Sequence, residues 1–417
     1  MDYFKSFKLH LKKFKMNHRK QSDNFFMTYA LAMSGIHLES RSKLIQLSWH
    51  AYRMLLASHY LLVWYKFALI VRKNHTFEAV FQGINTNIAS SFVYLRAFVI
   101  WKSLDCYRQS RNFIHPQSFQ MDVQKTSTLR REAKEKINCA LKICITNVVV
   151  QIYLALFMSP EYEPLNFPFN LCYLSPNLHN ISKRVYESIL LVFSHLESVN
   201  FLTIYIPLVE LHYELKIVQR SFKKTIMRKS NRNRLKTSET TFWIMIQSRI
   251  ARIVQHHASI LEELKSLQNL TKLSFLAIYY SAIAFISMSI LIVFKMHTFN
   301  VAMVVIIEHM MRSIAECYVF CCLAADLNET NNKISDAVTN LEWPERLRFS
   351  KDFTGEYKSV RTSLLVVMAR AQHSLGLSCG GMFELDRTRF KSLVKATYSM
   401  VMFLWNVRYS RGSYGLN

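Results

Sequence analysis

The sequence predicts an all-α membrane protein with seven transmembrane helices, its N-terminus cytoplasmic and its C-terminus extracellular. Three observations carry that expectation. Apolar residues make up 51% of the chain and the mean hydropathy is positive, at +0.07, which is not the balance of an ordinary soluble domain of this size. Only 8 glycines and 7 prolines occur in 417 residues, so long helices can run unbroken. Seven windows reach the ~20 residues that a bilayer requires: 45–71, 77–101, 137–158, 185–209, 273–294, 299–325 and 390–410.

The formal charge of +25 is read the same way. In a chain with several spans, excess Lys and Arg marks cytoplasmic loops, and no nucleic-acid-binding motif accompanies the charge. Lys and Arg number nine in residues 1–43, eight in loop 102–136, thirteen in loop 210–272 and nine in loop 326–389. The alternate connections hold few, so the positive-inside rule sets the orientation.

Residues 1–43 form a basic N-terminal region without the apolar core and cleavage site of a secretory signal. Their apolar part, FFMTYALAMSGIHL, is too short to span and is expected to lie along the inner membrane surface. Residues 44–325 hold spans one to six. The first window contains His50, Arg53, His59 and Lys66, so neighbouring helices rather than lipid should cover that face. Lys66 falls near an outer end, whereas Arg53, Arg96, Lys142 and Lys395 fall near inner ends where long side chains snorkel. Outer loop 159–184 concentrates four prolines, and reads either as a lid over a pocket or as a rigid connector.

Within loop 210–272, Ile246, Ile250, Ile253, His257, Ile260, Leu264 and Leu267 recur at three- and four-residue steps. Such a stripe outside the membrane has to be buried. Region 326–389 supplies a second series, Leu364, Leu365, Val367, Met368, Ala371 and Leu375, bracketed by Trp343-Pro344 and by Gly376, Gly380 and Gly381. The two predict cytoplasmic helical extensions that form an intersubunit bundle and an anchor. Separate helices lying on anionic lipid remain the alternative. The eight cysteines show no metal-ligand spacing, and no structural disulfide or cofactor is expected.

No phosphate-cradling glycine loop, nucleophile elbow or His-Glu-x-x-His is present, so no enzyme is expected. The candidates for ligand contact lie in the spans. Glu308, Arg312 and Glu316 stand four apart on one helical face, as a pocket ladder or as a self-neutralised structural one. His195, Glu197 and Asn200 in window four can bind a ligand or tie helices together. Tyr279, Tyr280 and Phe285 in window five pack or bind.

The last window carries Thr397-Tyr398, five mostly apolar residues from Ser399 to Phe403, then Leu404-Trp405. The connector before it reads Gly381-Met382-Phe383-Glu384-Leu385-Asp386. This resembles the C-terminal signature of insect gustatory receptors, with Leu404 and Trp405 where that family has Gln and Phe. The resemblance implies a ligand-gated non-selective cation channel of the insect chemoreceptor type. It would be a homo- or hetero-tetramer with other gustatory receptors, embedded in membrane lipid at the plasma membrane of sensory neurons. It implies a small extracellular tastant, bitter or aversive compounds first, and a role in acceptance or avoidance behaviour. In that frame 390–417 is the pore-lining span with a short outer tail. Val401 and Trp405 take the gate positions, Leu404 the place of the Gln, and Asn406 supplies an amide nearby. Val401 and Trp405 are four apart and face the same way. The rival classes are a secondary transporter, which would show repeats and broken spans, and a metabotropic seven-span receptor, which the charge bias disfavours.

Overall fold

The computed structural model describes residues 22–38, 40, 42–73, 77–114, 119, 123–156, 167–169, 175–227, 239–295, 301–340 and 351–413. Most of outer loop 159–184, Cys172, the basic segment before residue 22 and Trp343-Pro344 lie outside them. The described chain is a succession of helices: α1 (Ser22–Met33), α2 (Lys43–Arg72), α3 (Phe77–Lys102), α4 (Leu104–Ile114), α5 (Val123–Leu156), α6 (Pro176–Met227), α7 (Glu239–Lys295), α8 (Val301–Thr339), α9 (Thr354–Gln372) and α10 (Arg387–Ser413). A two-stranded hairpin, β1 (Ser378–Cys379) and β2 (Phe383–Glu384), stands between α9 and α10.

Among the described residues every predicted window falls on a helix, and α5, α6, α7 and α8 run well beyond theirs. Pro207 lies inside α6 without ending it; its missing N–H removes one rung of the ladder. By length and apolar composition alone, three stretches among the described residues qualify as spans: Lys43–Arg72, Thr126–Leu154 and Thr240–Phe294. The other four windows are more polar because they carry groups such as Arg96, Glu197, Arg312 and Lys395, which need helices or water for neighbours.

The described residues divide into two compact units. Unit 1 comprises Met1–Trp101, Cys144–Thr203 and Met288–Glu308. Here α1 ends in a glycine-terminated cap: Gly35, at φ 70°, donates to Ala32 O at 3.1 Å, and Ile36 donates to Leu31 O at 3.0 Å. The α1 segment does not simply rest on lipid. Met27, Ala30, Leu31 and Ile36 are buried, and Trp49 Nε1 and Tyr52 OH of α2 donate to Ala32 O and Met33 O at 3.2 and 2.6 Å. Arg53 lies over the rings of Trp49 and Trp101, 5.0 and 5.6 Å from their centroids, so its charge is held by aromatic faces.

Unit 2 comprises Lys102–Ile143, Ile204–Ser287 and His309–Asn417. The stripe on α7 is its core: Ile246, Ile250, Ile253, His257, Ile260, Leu264 and Leu267 are all buried. From α9, Leu364, Val367 and Ala371 are buried, with Leu375 just beyond its end, whereas Leu365 is exposed. Trp243, near the start of α7, stacks on Phe353 and meets Tyr357 edge-on at 6.3 Å.

Polar side chains lock the same core. Asn331 of α8 donates to Ala371 O and His373 O at 2.9 and 3.3 Å, and its Oδ1 pairs with His257 Nε2 at 3.1 Å. Glu214 of α6, almost fully buried, accepts from Arg130 Nε of α5 at 2.8 Å and pairs with His256 Nε2 of α7 at 3.0 Å. Phe119 stacks flat on the His256 ring at 4.3 Å. Burial alone would raise the Glu214 pKa, but its bonds to His256 and Arg130 outweigh burial and hold it below the usual range.

Candidate functional site

The last helix is built from its base upward. Asp386 precedes α10 and caps it: its Oδ1 accepts from Arg389 N at 2.8 Å and from Thr388 Oγ1 at 2.7 Å. Burial opposes that charge, yet the bonds from Thr388 and Arg389 prevail and keep the carboxyl below its usual pKa. The hairpin then fixes where the helix starts. Leu385 N donates to Leu377 O at 2.9 Å, and Gly380 N donates to the Lys272 carbonyl of α7 at 3.0 Å. Gly380 and Gly381 sit at φ 63° and 81°. A Cβ on Gly380 would stand 2.9 Å from Leu276 Cδ1, and one on Gly381 would stand 2.6 Å from Lys272 Cε, so both the backbone and the close approach require glycine.

Side chains complete this clamp. Arg387 pairs with Asp326 of α8, and the Arg389 guanidinium covers the Phe383 ring, 4.9 Å from its centroid. Tyr279 packs edge-on against Phe383 at 5.1 Å and donates to Arg389 O at 3.5 Å. Tyr279 therefore lies at the base of α10, and Tyr280 beside it is half-exposed.

Above the base, Thr397 is buried, while Val401, Leu404 and Trp405 are half-buried and Asn406 is exposed. Val394, Tyr398 and Met402, at four-residue steps, are exposed together with Phe403. The single chain thus leaves an apolar row of α10 uncovered, and the line through Thr397, Val401 and Trp405 lies about 100° around the helix from it.

The predicted ligand residues fall elsewhere. In unit 1, Asn200 donates through Nδ2 to Val93 O of α3 at 3.1 Å, and His195 Nε2 lies 3.4 Å from Ala30 O. Glu197, three residues before Asn200, is half-buried. Glu308 accepts from Gln151 Nε2 of α5 at 2.8 Å. In unit 2, the ring of His309 meets Phe285 edge-on, 6.4 Å between centroids, and Arg312 lies one turn further along α8. Gln151, and Asn85, which donates to Ser289 Oγ at 3.3 Å, went unremarked in the sequence. The available signal was that each is an amide inside a predicted span. Among the described residues no group of His, Cys, Asp and Glu is arranged to hold a metal ion.

Comparison with known proteins agrees with this architecture. The chain resembles the solved insect olfactory receptor OR5 from Machilis hrabei, with a TM-score of 0.70 at 10% identity over 96% of this chain and 99% of that one. It also resembles the same receptor in complex with eugenol, with a TM-score of 0.65 at 13% identity over the same shares. No curated protein matches significantly. The fold is accordingly that of an insect odorant receptor channel, a seven-helix membrane architecture. The sequence profile of the 7tm Odorant receptor family matches residues 117–398, two thirds of the chain, and the protein belongs to that family of insect chemoreceptors.

Proposed function

We propose that the chain is a gustatory receptor that works as a ligand-gated, non-selective cation channel. It would be a homo- or hetero-tetramer with other gustatory receptors, in the plasma membrane of sensory neurons. The N-terminus and the helical extensions 210–272 and 326–389 face the cytoplasm, following the Lys and Arg bias, and the C-terminus lies outside. The ligand is a small extracellular tastant, aversive compounds first, and the response is acceptance or avoidance. The observation that carries the reading is α10: a clamped, capped base below a helix whose apolar residues Val394, Tyr398, Met402 and Phe403 stay exposed in the single chain. An apolar row of that length in a membrane protein is covered by lipid or by further copies of itself.

Four copies of α10 around an axis form a hydrophobic constriction, with Val401 and Trp405 as the gate and Leu404 and Asn406 beside it. Such a constriction conducts when widening lets water in. The Thr397-Tyr398 pair and the Gly381-to-Asp386 connector carry the gustatory assignment. Currents recorded from cells that express the chain, with G-protein signalling blocked, test it. Val401→Ala and Trp405→Ala should each raise the basal current; if both behave as wild type, the gate assignment is lost. A response abolished by the block would instead support the metabotropic alternative.

A further inference from the structure

Near the inner ends of the predicted spans, unit 2 treats its charges in two ways. The acids are held. Asp326 of α8 pairs with Arg387, and Glu329, one turn on, pairs with Lys333 and lies 3.9 Å from Arg387. Two lysines are not held in this way. Lys136 of α5 and Lys216 of α6 both stand over the ring of Tyr213, their Nζ atoms 5.6 and 4.6 Å from its centroid. Among the described residues neither ammonium forms an ion pair, and what each has is the face of that ring. Sharing one centroid keeps the two nitrogens within about 10 Å of each other.

The crowding leaves its mark on Lys216, which is half-buried, whereas Lys136 is exposed. Burial first, then the charges of Lys136 and Arg220, draw the Lys216 pKa below the ordinary lysine value, against the opposing pull of Asp326 and Glu132. His212, whose ring is 5.7 Å from that of Tyr213, has its pKa down at about 4 and is neutral at cytosolic pH. Like charges drawn to one buried ring repel, so the place favours an anion that touches both. Its level follows from the chain. Lys136 directly precedes window three, Tyr213 and Lys216 follow the end of window four by one and two helical turns, and Asp326 directly follows window six. In the orientation set by the charge bias, that is the level of the inner headgroups.

We infer that Lys136 and Lys216, set over the Tyr213 ring, form a site for the phosphate-bearing headgroup of an anionic lipid of the inner leaflet. Lysine binds phosphate as a point charge, so the attraction grows with the charge on the headgroup, and a phosphoinositide is the lipid that fits. The inference goes beyond the channel reading and takes from it only the orientation of the chain.

The test titrates the detergent-solubilised full-length chain with dioctanoyl phosphatidylinositol 4,5-bisphosphate, dioctanoyl phosphatidylcholine and inositol 1,4,5-trisphosphate, reading the bound fraction by native mass spectrometry. The bisphosphate lipid should bind about tenfold tighter than the choline lipid, equivalent to about 1.4 kcal/mol. The double variant Lys136→Gln/Lys216→Gln should remove that advantage. Lys265→Gln/Lys358→Gln, which deletes the same charge from exposed positions on α7 and α9, should keep it, and so should Tyr213→Phe, which retains the ring. Size-exclusion profiles check that each variant folds. Equal affinity for the two lipids overturns the inference, as does an advantage that survives the loss of both lysines. A control variant that loses it equally reduces the effect to net charge and overturns the site. If the free trisphosphate binds as tightly as the lipid, the site takes a soluble anion and the lipid assignment falls. An N-terminal tag reached by antibody on intact cells overturns the orientation, and with it the inner-leaflet placement. The basal currents of Val401→Ala and Trp405→Ala test the channel reading separately.

Discussion

Glu214 in unit 2 and Gln151 in unit 1 are both buried polar side chains held where helices meet, and the protein treats them in opposite ways. Glu214 has two partners, Arg130 and His256, on two different helices, with a ring stacked over the imidazole. Glu210 nearby is paired with Arg111 at 2.9 Å. In unit 1 the Gln151 amide spends its NH2 on Glu308 and leaves its oxygen without a donor. A carboxylate with its partners in a packed core is costly to disturb. An unpaired acceptor at membrane depth is a poor structural element. The two side chains thus follow different rules, Glu214 with its pairing closed and Gln151 with one oxygen left open.

The contrast is sharpest at Glu214. Replacing it with Ala strands Arg130 and His256 in the core, and the expected loss is about 3–5 kcal/mol, read as a large fall in the unfolding midpoint of detergent-solubilised protein. Gln151→Leu, by comparison, should leave that midpoint near wild type. An unchanged midpoint in Glu214→Ala would break the distinction between the regions.

His212, in the same part of α6, supplies the next effect. Burial, with Lys216 adding to it, pushes its pKa down to about 4 from an ordinary 6.5. Between those values the unfolded chain binds a proton that the folded one does not, so stability is lost as pH falls from about 6.5 toward about 4. The loss is at most about 3–4 kcal/mol, and His212→Gln should flatten the stability profile across that window.

Gly381→Ala puts a side chain at φ 81° against Lys272. The left-handed backbone costs about 1–2 kcal/mol, and the Lys272 end can move aside. Because this glycine sets the base of α10, its signature should be a raised basal current more than a lowered melting temperature. The smallest effect belongs to Arg387→Ala. Its pair with Asp326 is exposed on both sides, where salt and water screen it, so the unfolding midpoint should hardly move.

Much of the helical framework was legible in the residues. Long apolar windows in a chain poor in glycine and proline can satisfy their backbones in lipid only as helices. The three- and four-residue repeat from Ile246 to Leu267 marked a face that had to be buried, and it is. The Glu214 network was not legible, since Arg130 and His256 lie 84 and 42 residues from it. Tyr279 looked like one aromatic among several, and only packing sets it beneath α10 rather than anywhere else along α7.

Periodicity and charge asymmetry, both local properties of the chain, were enough to determine that these residues form membrane helices with long polar extensions. Which side chains meet was decided only in the tertiary structure. Hydrogen bonds such as Gln151 to Glu308 join residues 157 apart in sequence, and a bond of a few ångströms has no counterpart in spacing along the chain. Burial is likewise a property of what surrounds a residue, so an amide oxygen left without a donor becomes visible only after every neighbour is in place.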